Sequence, residues 1–289
     1  MTRSLTVLEP GLLTTVQDSG RRGQASLGVG CSGACDLASY RLANRLVGNA
    51  ENTSVLEVTH GGLRVRAEGD VVIVTTGARC AGSWHHNAPD TLRSGAELDL
   101  GAPASGLRTY VAVRGGFDVD PVLGSSATDT MSGLGPEALS AGDVLAIGTP
   151  ALPMPGVDLA AVADPEAAGV TVLVTPGPRR DWFPDEAWQS LVGQPWTVTS
   201  ESNRVGLRLE GESLARTRSD ELPSEGLVRG ALQVPPSGKP VLFLADHPVT
   251  GGYPVIGYVV DADVDRCAQL RPGQQLLLRE GRTHGGHRR

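Results

Sequence analysis

The sequence predicts a mainly β protein, and three observations carry that expectation. Short runs rich in β-branched and aliphatic residues recur along the chain: Leu5–Leu8, Val55–Val58, Val71–Thr76, Arg108–Val113, Val170–Thr175, Val205–Glu210, Val241–Ala245 and Val255–Val260. Several alternate apolar and polar residues, as in Leu63-Arg64-Val65-Arg66, the period of a strand with one buried face. Thirty-eight glycines and 20 prolines punctuate the runs, enough for many tight turns.

Helices are few. The clearest spans Asp36–Val47: Asp36 is a natural N-cap, Leu37, Tyr40, Ala43 and Leu46/Val47 share one face, and Gly48 stops it. A second is expected at Pro184–Val192, with Pro at the first turn, Asp185 and Glu186 near the positive end, and Trp188 and Leu191/Val192 turned inward. A third is expected at Val264–Leu270, ended by Pro272-Gly273. The Ala- and Pro-rich stretch Gly148–Gly169 has few strand signals and reads as a linker. The expected organisation is a β lobe over 1–150, a second over 165–281 and a flexible tail over 282–289.

Bulk composition narrows the function classes. With 289 residues, 40% of them hydrophobic, the chain can bury a substantial core. No run approaches the ~20 apolar residues of a membrane helix, and no signal peptide is seen, so a cytoplasmic protein is expected. A net charge of −7 argues against nucleic acid as a partner. The four cysteines, Cys31, Cys35, Cys80 and Cys267, are too sparse for a disulfide scaffold. Cys31 and Cys35 have knuckle-like spacing, but the nearest companions are His85 and His86 beside Cys80. No second knuckle exists, and no metal site is expected.

Two glycine-rich polar stretches concentrate the chemistry. The first, Val16–Asp36, places Asp18, Arg21, Ser32 and Asp36 among glycines before a helix start. It can bind an anion on backbone N–H groups, or it can be a capped turn. The second, Ser224–Pro254, holds Ser224, Glu225, Gln233, Asp246, Thr250 and Tyr253. Thr250-Gly251-Gly252 can form a backbone nest, or simply a glycine-requiring connection. A smaller cluster, Ser202-Asn203-Arg204, offers a guanidinium fork for a carboxylate, or a turn on a solvated edge. Gly238-Lys239-Pro240 is not a phosphate loop, and neither a His-Glu-x-x-His motif nor a Gly-x-Ser-x-Gly elbow occurs.

Read together, these segments resemble one family. The run from Gly28 through Ser32-Gly33-Ala34-x-Asp36 to Leu42-Ala43-Asn44-Arg45-Leu46-Val47-Gly48-Asn49 carries the resemblance, with Leu56-Glu57-Val58-Thr59, Pro176-Gly177-Pro178 and Ser202-Asn203-Arg204. Gln233-Val234-Pro235-Pro236 and Asp246 through Thr250-Gly251-Gly252-Tyr253-Pro254 complete it. The family is that of the 5-oxoprolinase C subunits, also called KipA-like, allophanate hydrolase subunit 2 or biotin-dependent carboxyltransferase. The resemblance implies a cyclophilin-like β-barrel fold in two related lobes and work with the partner B and A subunits of 5-oxoprolinase. It also implies ATP-dependent opening of 5-oxoproline to glutamate. Homologous domains in urea amidolyase instead transfer a carboxyl group from carboxybiotin to urea, and a regulatory partner of the B subunit is a further alternative. Carried over residue by residue, Asp18, Glu225 and Asp246 are the expected acid/base group. Arg21, Ser32, Asp36, Asn44, Glu57, Asn203, Arg204, Ser224, Gln233, Thr250 and Tyr253 are the expected substrate-binding set. The sequence departs at His247-Pro248-Val249, where the family usually has Arg-Gln-Thr, and loses a cation there. The single lysine, Lys239, lies between Gly238 and Pro240 and lacks the flanking methionines of a biotin carrier. Covalent biotin is therefore not expected, and ATP, with Mg, is expected to act in the assembled complex.

Overall fold

The computed structural model describes residues 3–82 and 86–281. The expected tail over 282–289 and His85 lie outside them. The chain divides into two compact units, Met1–Ala167 and Ala168–Arg289. Among the described residues no helix is long and apolar enough to cross a membrane.

The first unit contains β1 (Ser4–Pro10), β2 (Leu13–Gln17), α1 (Leu37–Leu46), β3 (Val55–Thr59), β4 (Leu63–Glu68) and β5 (Val71–Gly77). It continues with β6 (Asp90–Leu92), β7 (Glu97–Asp99), β8 (Arg108–Val113) and β9 (Val144–Ala146). The strands form a four-stranded sheet, β7-β4-β1-β9, and a five-stranded sheet, β2-β3-β8-β5-β6. Alternation does what it promised. In β4, Leu63, Val65 and Ala67 are buried while Arg64 and Arg66 turn outward. Leu5, Val7 and Val65 of the smaller sheet meet Leu56, Val58 and Val111 of the larger in one core. On the other face of the larger sheet, Tyr40, Ala43 and Leu46 of α1 pack on Val74, Tyr110 and Ala112. Because both faces are covered, every residue of β8 is buried.

Helix α1 begins where expected. Asp36 caps it, accepting from Ser39 N at 2.9 Å, and Gly48, with φ +64°, takes the left-handed turn that ends it. The stretch expected as a linker runs along this unit. Arg114 Nη2 donates to Leu152 O (2.8 Å), Ala160 N to Asn87 O (2.9 Å), and Arg79 pairs with Asp164 (3.2 Å).

The second unit contains β10 (Gly169–Pro176), α2 (Asp185–Gly193), β11 (Pro195–Val198), β12 (Gly206–Glu210), β13 (Glu225–Gly226) and β14 (Ala231–Gln233). It ends with β15 (Val241–Phe243), β16 (Thr250–Gly251), β17 (Val255–Val259), α3 (Asp261–Cys267) and β18 (Gln275–Glu280). Seven strands close a barrel in the order β10-β17-β14-β15-β12-β11-β18, and β13 and β16 form a separate ribbon. Closure comes from a parallel seam: Val170, Val172 and Val174 of β10 run in register with Leu276, Leu278 and Glu280 of β18. The mainly β, barrel-containing fold expected from the sequence is thus the observed one. Helix α3 starts three residues earlier than Val264. The Val260 carbonyl accepts from Asp263 N (2.8 Å), and Asp261 and Asp263 sit favourably in the first turn. None of the four cysteines is in a disulfide, and three of them are buried.

Candidate functional site

The expected residues fall into two groups, one in each unit, and the two groups have different surroundings. In the first unit the polar stretch folds back on itself. Arg21 N donates to Cys31 O (2.7 Å) and Ala34 N to Asp18 O (3.0 Å). A Cβ on Gly20 would stand 2.6 Å from the carbonyls of Cys31 and Ser32, so only glycine fits there. The Asp18 carboxylate accepts from Gly20 N (2.8 Å), Ser125 Oγ (2.6 Å) and Ser126 N (2.7 Å). Arg21 is 1% exposed, donating from Nε to Val122 O (3.1 Å) and from Nη2 to Ala127 O. Ser32, at φ +53°, donates to Thr128 O (3.3 Å). Asp18, Arg21 and Ser32 thus tie one segment, residues 122–128, to the chain's beginning.

Asp36, Asn44 and Glu57 form a second knot around α1. Glu57 accepts from Cys35 N (2.9 Å) and Tyr110 Oη (2.8 Å), and Arg108 Nε approaches it to 3.5 Å. Asp36 N donates to Tyr110 Oη (2.8 Å). Burial, reinforced by the nearby Glu57 charge, pushes the Tyr110 phenol well above its ordinary pKa and keeps it a proton donor. Asn44 donates to Thr53 O (2.8 Å) and accepts from Asn49 Nδ2 (3.0 Å), fixing the turn after the helix. These side chains are buried and directed at the protein's own groups. Their contacts orient α1 and the 122–128 segment; a substrate would have to displace them to bind there.

In the second unit Arg204 and Asp246 are brought together with each other. The guanidinium meets the carboxylate in a two-pronged contact, Nε–Oδ2 3.0 Å and Nη2–Oδ1 2.9 Å. The side chains are 2% and 0% exposed. The fork expected to clamp a substrate already holds a carboxylate of the chain, and the carboxylate expected to move a proton is held by a cation. Asn203, Gln233 and Tyr253 do share a cavity, of about 260 Å³, walled by Val205, Pro235 and Phe243. Gln233 Nε2 donates to Tyr253 O (3.0 Å), while Asn203 Oδ1 accepts from Val205 N (2.8 Å). A Cβ on Gly251 would lie 2.6 Å from Gln233 Nε2, so glycine there makes room for the amide. The β13–β16 ribbon pairs Glu225 with Gly251 and Gly226 with Thr250. Ser224 and Thr250 are exposed at that ribbon.

Sequence reasoning missed Arg179, Tyr110 and Arg216. Arg179 Nε donates to both Glu225 oxygens at 2.9 and 3.0 Å, which lowers the Glu225 pKa and raises that of Arg179. Its signal was the Pro176-Gly177-Pro178 turn immediately before it. Tyr110 sat inside an apolar strand with nothing to mark its hydroxyl. Arg216 lies over the Tyr253 ring, 5.9 Å from its centroid, in a segment without periodicity. His247 occupies the place of the missing cation; its Nδ1 lies 2.8 Å from Pro248 O.

Lys239 pairs with Glu210, so its ammonium has an acid of the chain as its partner. A lysine gripping nucleotide phosphates, as in a phosphate loop, has no counterpart among the described residues, which therefore do not fit ATP in that manner.

Comparison with known proteins places this geometry. The family model for the carboxyltransferase domain, subdomain A and B, matches residues 27–280. The chain is 38% identical to the 5-oxoprolinase C subunit of Escherichia coli, over 94% of this chain and 89% of that protein. It is 31% identical to urea amidolyase of Lachancea kluyveri, over 93% of this chain but 16% of that one. Among solved structures, TTHA0988 superposes with a TM-score of 0.87 at 33% identity, covering 96% of this chain and 55% of that one. Urea amidolyase of Kluyveromyces lactis superposes with a TM-score of 0.86 at 30% identity, covering 95% of this chain and 18% of that one. The chain thus spans about half of TTHA0988 and under a fifth of the urea amidolyases. A match of this extent, in sequence and in fold, makes the chain a member of the biotin-dependent carboxyltransferase family that includes the 5-oxoprolinase C subunits.

Proposed function

We propose that this chain is the C subunit of an ATP-dependent 5-oxoprolinase that works with the B and A subunits to hydrolyse 5-oxoproline to glutamate in the cytoplasm. The observation that carries this reading is the 38% identity to the E. coli 5-oxoprolinase C subunit, which extends over 89% of that protein's length. The cavity of the second unit supports it. A five-membered lactam is small, polar at its amide and apolar on its ring, and Gln233 and Tyr253 beside Val205 and Phe243 offer matching chemistry. Gln233, with Nε2 engaged at Tyr253 O, presents Oε1 to the lactam N–H. Glu225 is held as an anion by Arg179 and orients groups at the ribbon rather than donating a proton. Asp246 acts through Arg204 as a positioning residue, and Asp18 does the same through Ser125 and Ser126. The proton-transfer groups and ATP, with Mg, then belong to the assembled complex.

The test is 5-oxoproline-dependent ADP release by this chain reconstituted with the B and A subunits. Gln233→Ala is expected to reduce turnover at least ~10-fold while leaving the assembly intact, as suits one lost substrate hydrogen bond. A complete complex that releases no ADP on addition of 5-oxoproline would sink the reading.

The urea amidolyase relatives favour a second reading, carboxyl transfer from carboxybiotin on a separate carrier to a urea-like amide. Consumption of free carboxybiotin in the presence of small amides, with no ADP release on 5-oxoproline, selects it.

A further inference from the structure

Around the cavities of the second unit nearly every cation is committed to an acid of the same chain. Arg179 pairs with Glu225, Arg180 with Asp185 (2.6 Å), Arg208 with Glu201 (3.7 Å) and Arg218 with Asp220 (3.0 Å). Arg216 is the exception: among the described residues its hydrogen-bond partner is a carbonyl, Val234 O at 2.6 Å, and no acid pairs with it. Its Nε is buried with no hydrogen-bond partner, and burial lowers its pKa. A half-buried guanidinium without a counter-charge is costly, and a bound anion offsets that cost.

The surroundings form a built groove. A cavity of about 690 Å³ is lined by Arg216 and Arg218 with the hydroxyls of Ser213, Thr217, Ser219 and Ser237. The segment that carries them has no regular secondary structure, yet it is fastened at both ends. Leu214 N donates to Gly238 O (2.9 Å) and Thr217 N to Trp182 O (2.9 Å). Arg218 lies over the Trp182 ring, 5.0 Å from its centroid. Arg216 also covers Tyr253, which lines the smaller cavity with Gln233. The groove and that cavity therefore meet at the Arg216–Tyr253 stack.

We propose that this groove is an oxyanion site in which Arg216 binds the carboxylate of a small acid. Naming that acid as 5-oxoproline rests on the function proposed above; the oxyanion site itself does not. The carboxylate is assigned to Arg216 because the arginines of the expected substrate-binding set are engaged elsewhere: Arg204 holds Asp246, and Arg21 holds the carbonyls of Val122 and Ala127. A phosphate group has the same chemistry, and the experiment separates the two sources.

In the reconstituted complex, Arg216→Gln is expected to raise KM for 5-oxoproline ~10- to 100-fold, the range for a lost charge-assisted hydrogen bond. KM for ATP should be unchanged, as should inhibition by 2-pyrrolidone, the same lactam without the carboxylate. Arg216→Lys should restore part of the loss. A rise in KM for ATP alone keeps the oxyanion site and overturns the carboxylate assignment. Unchanged values for both overturn the proposal. Ser237→Asp provides a second variant, since it places an acid in the groove without touching the Arg216 bond to Val234. It should reproduce the loss even if Arg216→Gln does not fold. Should the wild-type complex not act on 5-oxoproline, the full chain is titrated calorimetrically with 5-oxoproline and with inorganic phosphate. Saturable binding of either that disappears in Ser237→Asp supports the oxyanion site. No saturable binding to the wild type, or equal binding by the variant, refutes it.

Discussion

Two glycine-rich stretches with much the same vocabulary of acids, amides, hydroxyls and arginine end in opposite environments. In the first unit, Asp18, Arg21, Asp36, Asn44 and Glu57 are buried, and their polar atoms meet backbone groups and side chains of the same unit. In the second, Asn203 and Tyr253 are exposed, and with Gln233 they line a cavity. The Arg204–Asp246 pair there is as deeply buried as the knots of the first unit, and Gln233, though it lines the cavity, is 7% exposed. The difference teaches that a polar glycine-rich motif marks a place where backbone geometry is demanding. Whether its side chains face a ligand or the fold depends on what the glycines bring close. At Gly20 they bring a second backbone segment, and at Gly251 the amide of Gln233.

The largest expected effects come from unmaking the buried ion pairs. Glu57→Ala leaves Arg108 buried without its acid, and Asp246→Ala does the same to Arg204. Each should cost about 3–5 kcal/mol in denaturant unfolding followed by circular dichroism. Replacing both members, as in Arg204→Met with Asp246→Leu, should cost less than Asp246→Ala alone, because no orphaned charge remains. A double variant as unstable as the single one would show that the pair contributes a net attraction beyond mutual neutralisation.

Next in size is a pH effect confined to the first unit. His86 is 4% exposed, and burial, with the Arg79 charge, lowers its pKa from 6.5 to about 4. A lowered histidine pKa means the folded state prefers the neutral ring. Stability is therefore fully present above pH ~6.5 and falls as the pH drops toward 4, where the unfolded chain takes up a proton that the folded one refuses. The total is up to about 3 kcal/mol at 1.36 kcal/mol per pKa unit. His86→Gln should flatten the stability profile between pH 4 and 6.5. An unchanged slope would place the acid sensitivity on the carboxylates instead.

The strands and α1 were legible because their signals are local. Leu63 to Ala67 alternate, and Asp36 and Gly48 bracket a helical face. β2 escaped because Thr14, Thr15 and Gln17 are polar yet buried, with Thr14 Oγ1 donating to Pro10 O (2.6 Å) and Gln17 Nε2 to Thr15 Oγ1 (2.9 Å). β18 escaped because its reason for existing is a parallel pairing with β10, about a hundred residues away, which no local period encodes. For the site, residue types were legible but partnerships were not. Arg204 and Asp246 each suggested chemistry toward a ligand, and only the fold reveals that residues 42 positions apart satisfy one another.

A pair of tyrosines puts the comparison in its sharpest form, with the smallest stability change on one side. Tyr110 is 0% exposed, and its hydroxyl accepts from Asp36 N while donating to Glu57. Tyr110→Phe removes the acceptor of Asp36 N and one of the donors to Glu57, and should cost about 1–3 kcal/mol. Tyr253 is 46% exposed at the cavity, and replacing it with Phe keeps the ring beneath Arg216. Tyr253→Phe should therefore shift stability by no more than ~0.5 kcal/mol, as surface substitutions do. Turnover of the reconstituted complex should nevertheless fall ~10-fold if the hydroxyl meets substrate, as a lost hydrogen bond of about 1.4 kcal/mol implies. If Tyr253→Phe lowers stability as much as Tyr110→Phe and leaves turnover untouched, both stretches are scaffold and the ligand site lies outside the 260 Å³ cavity.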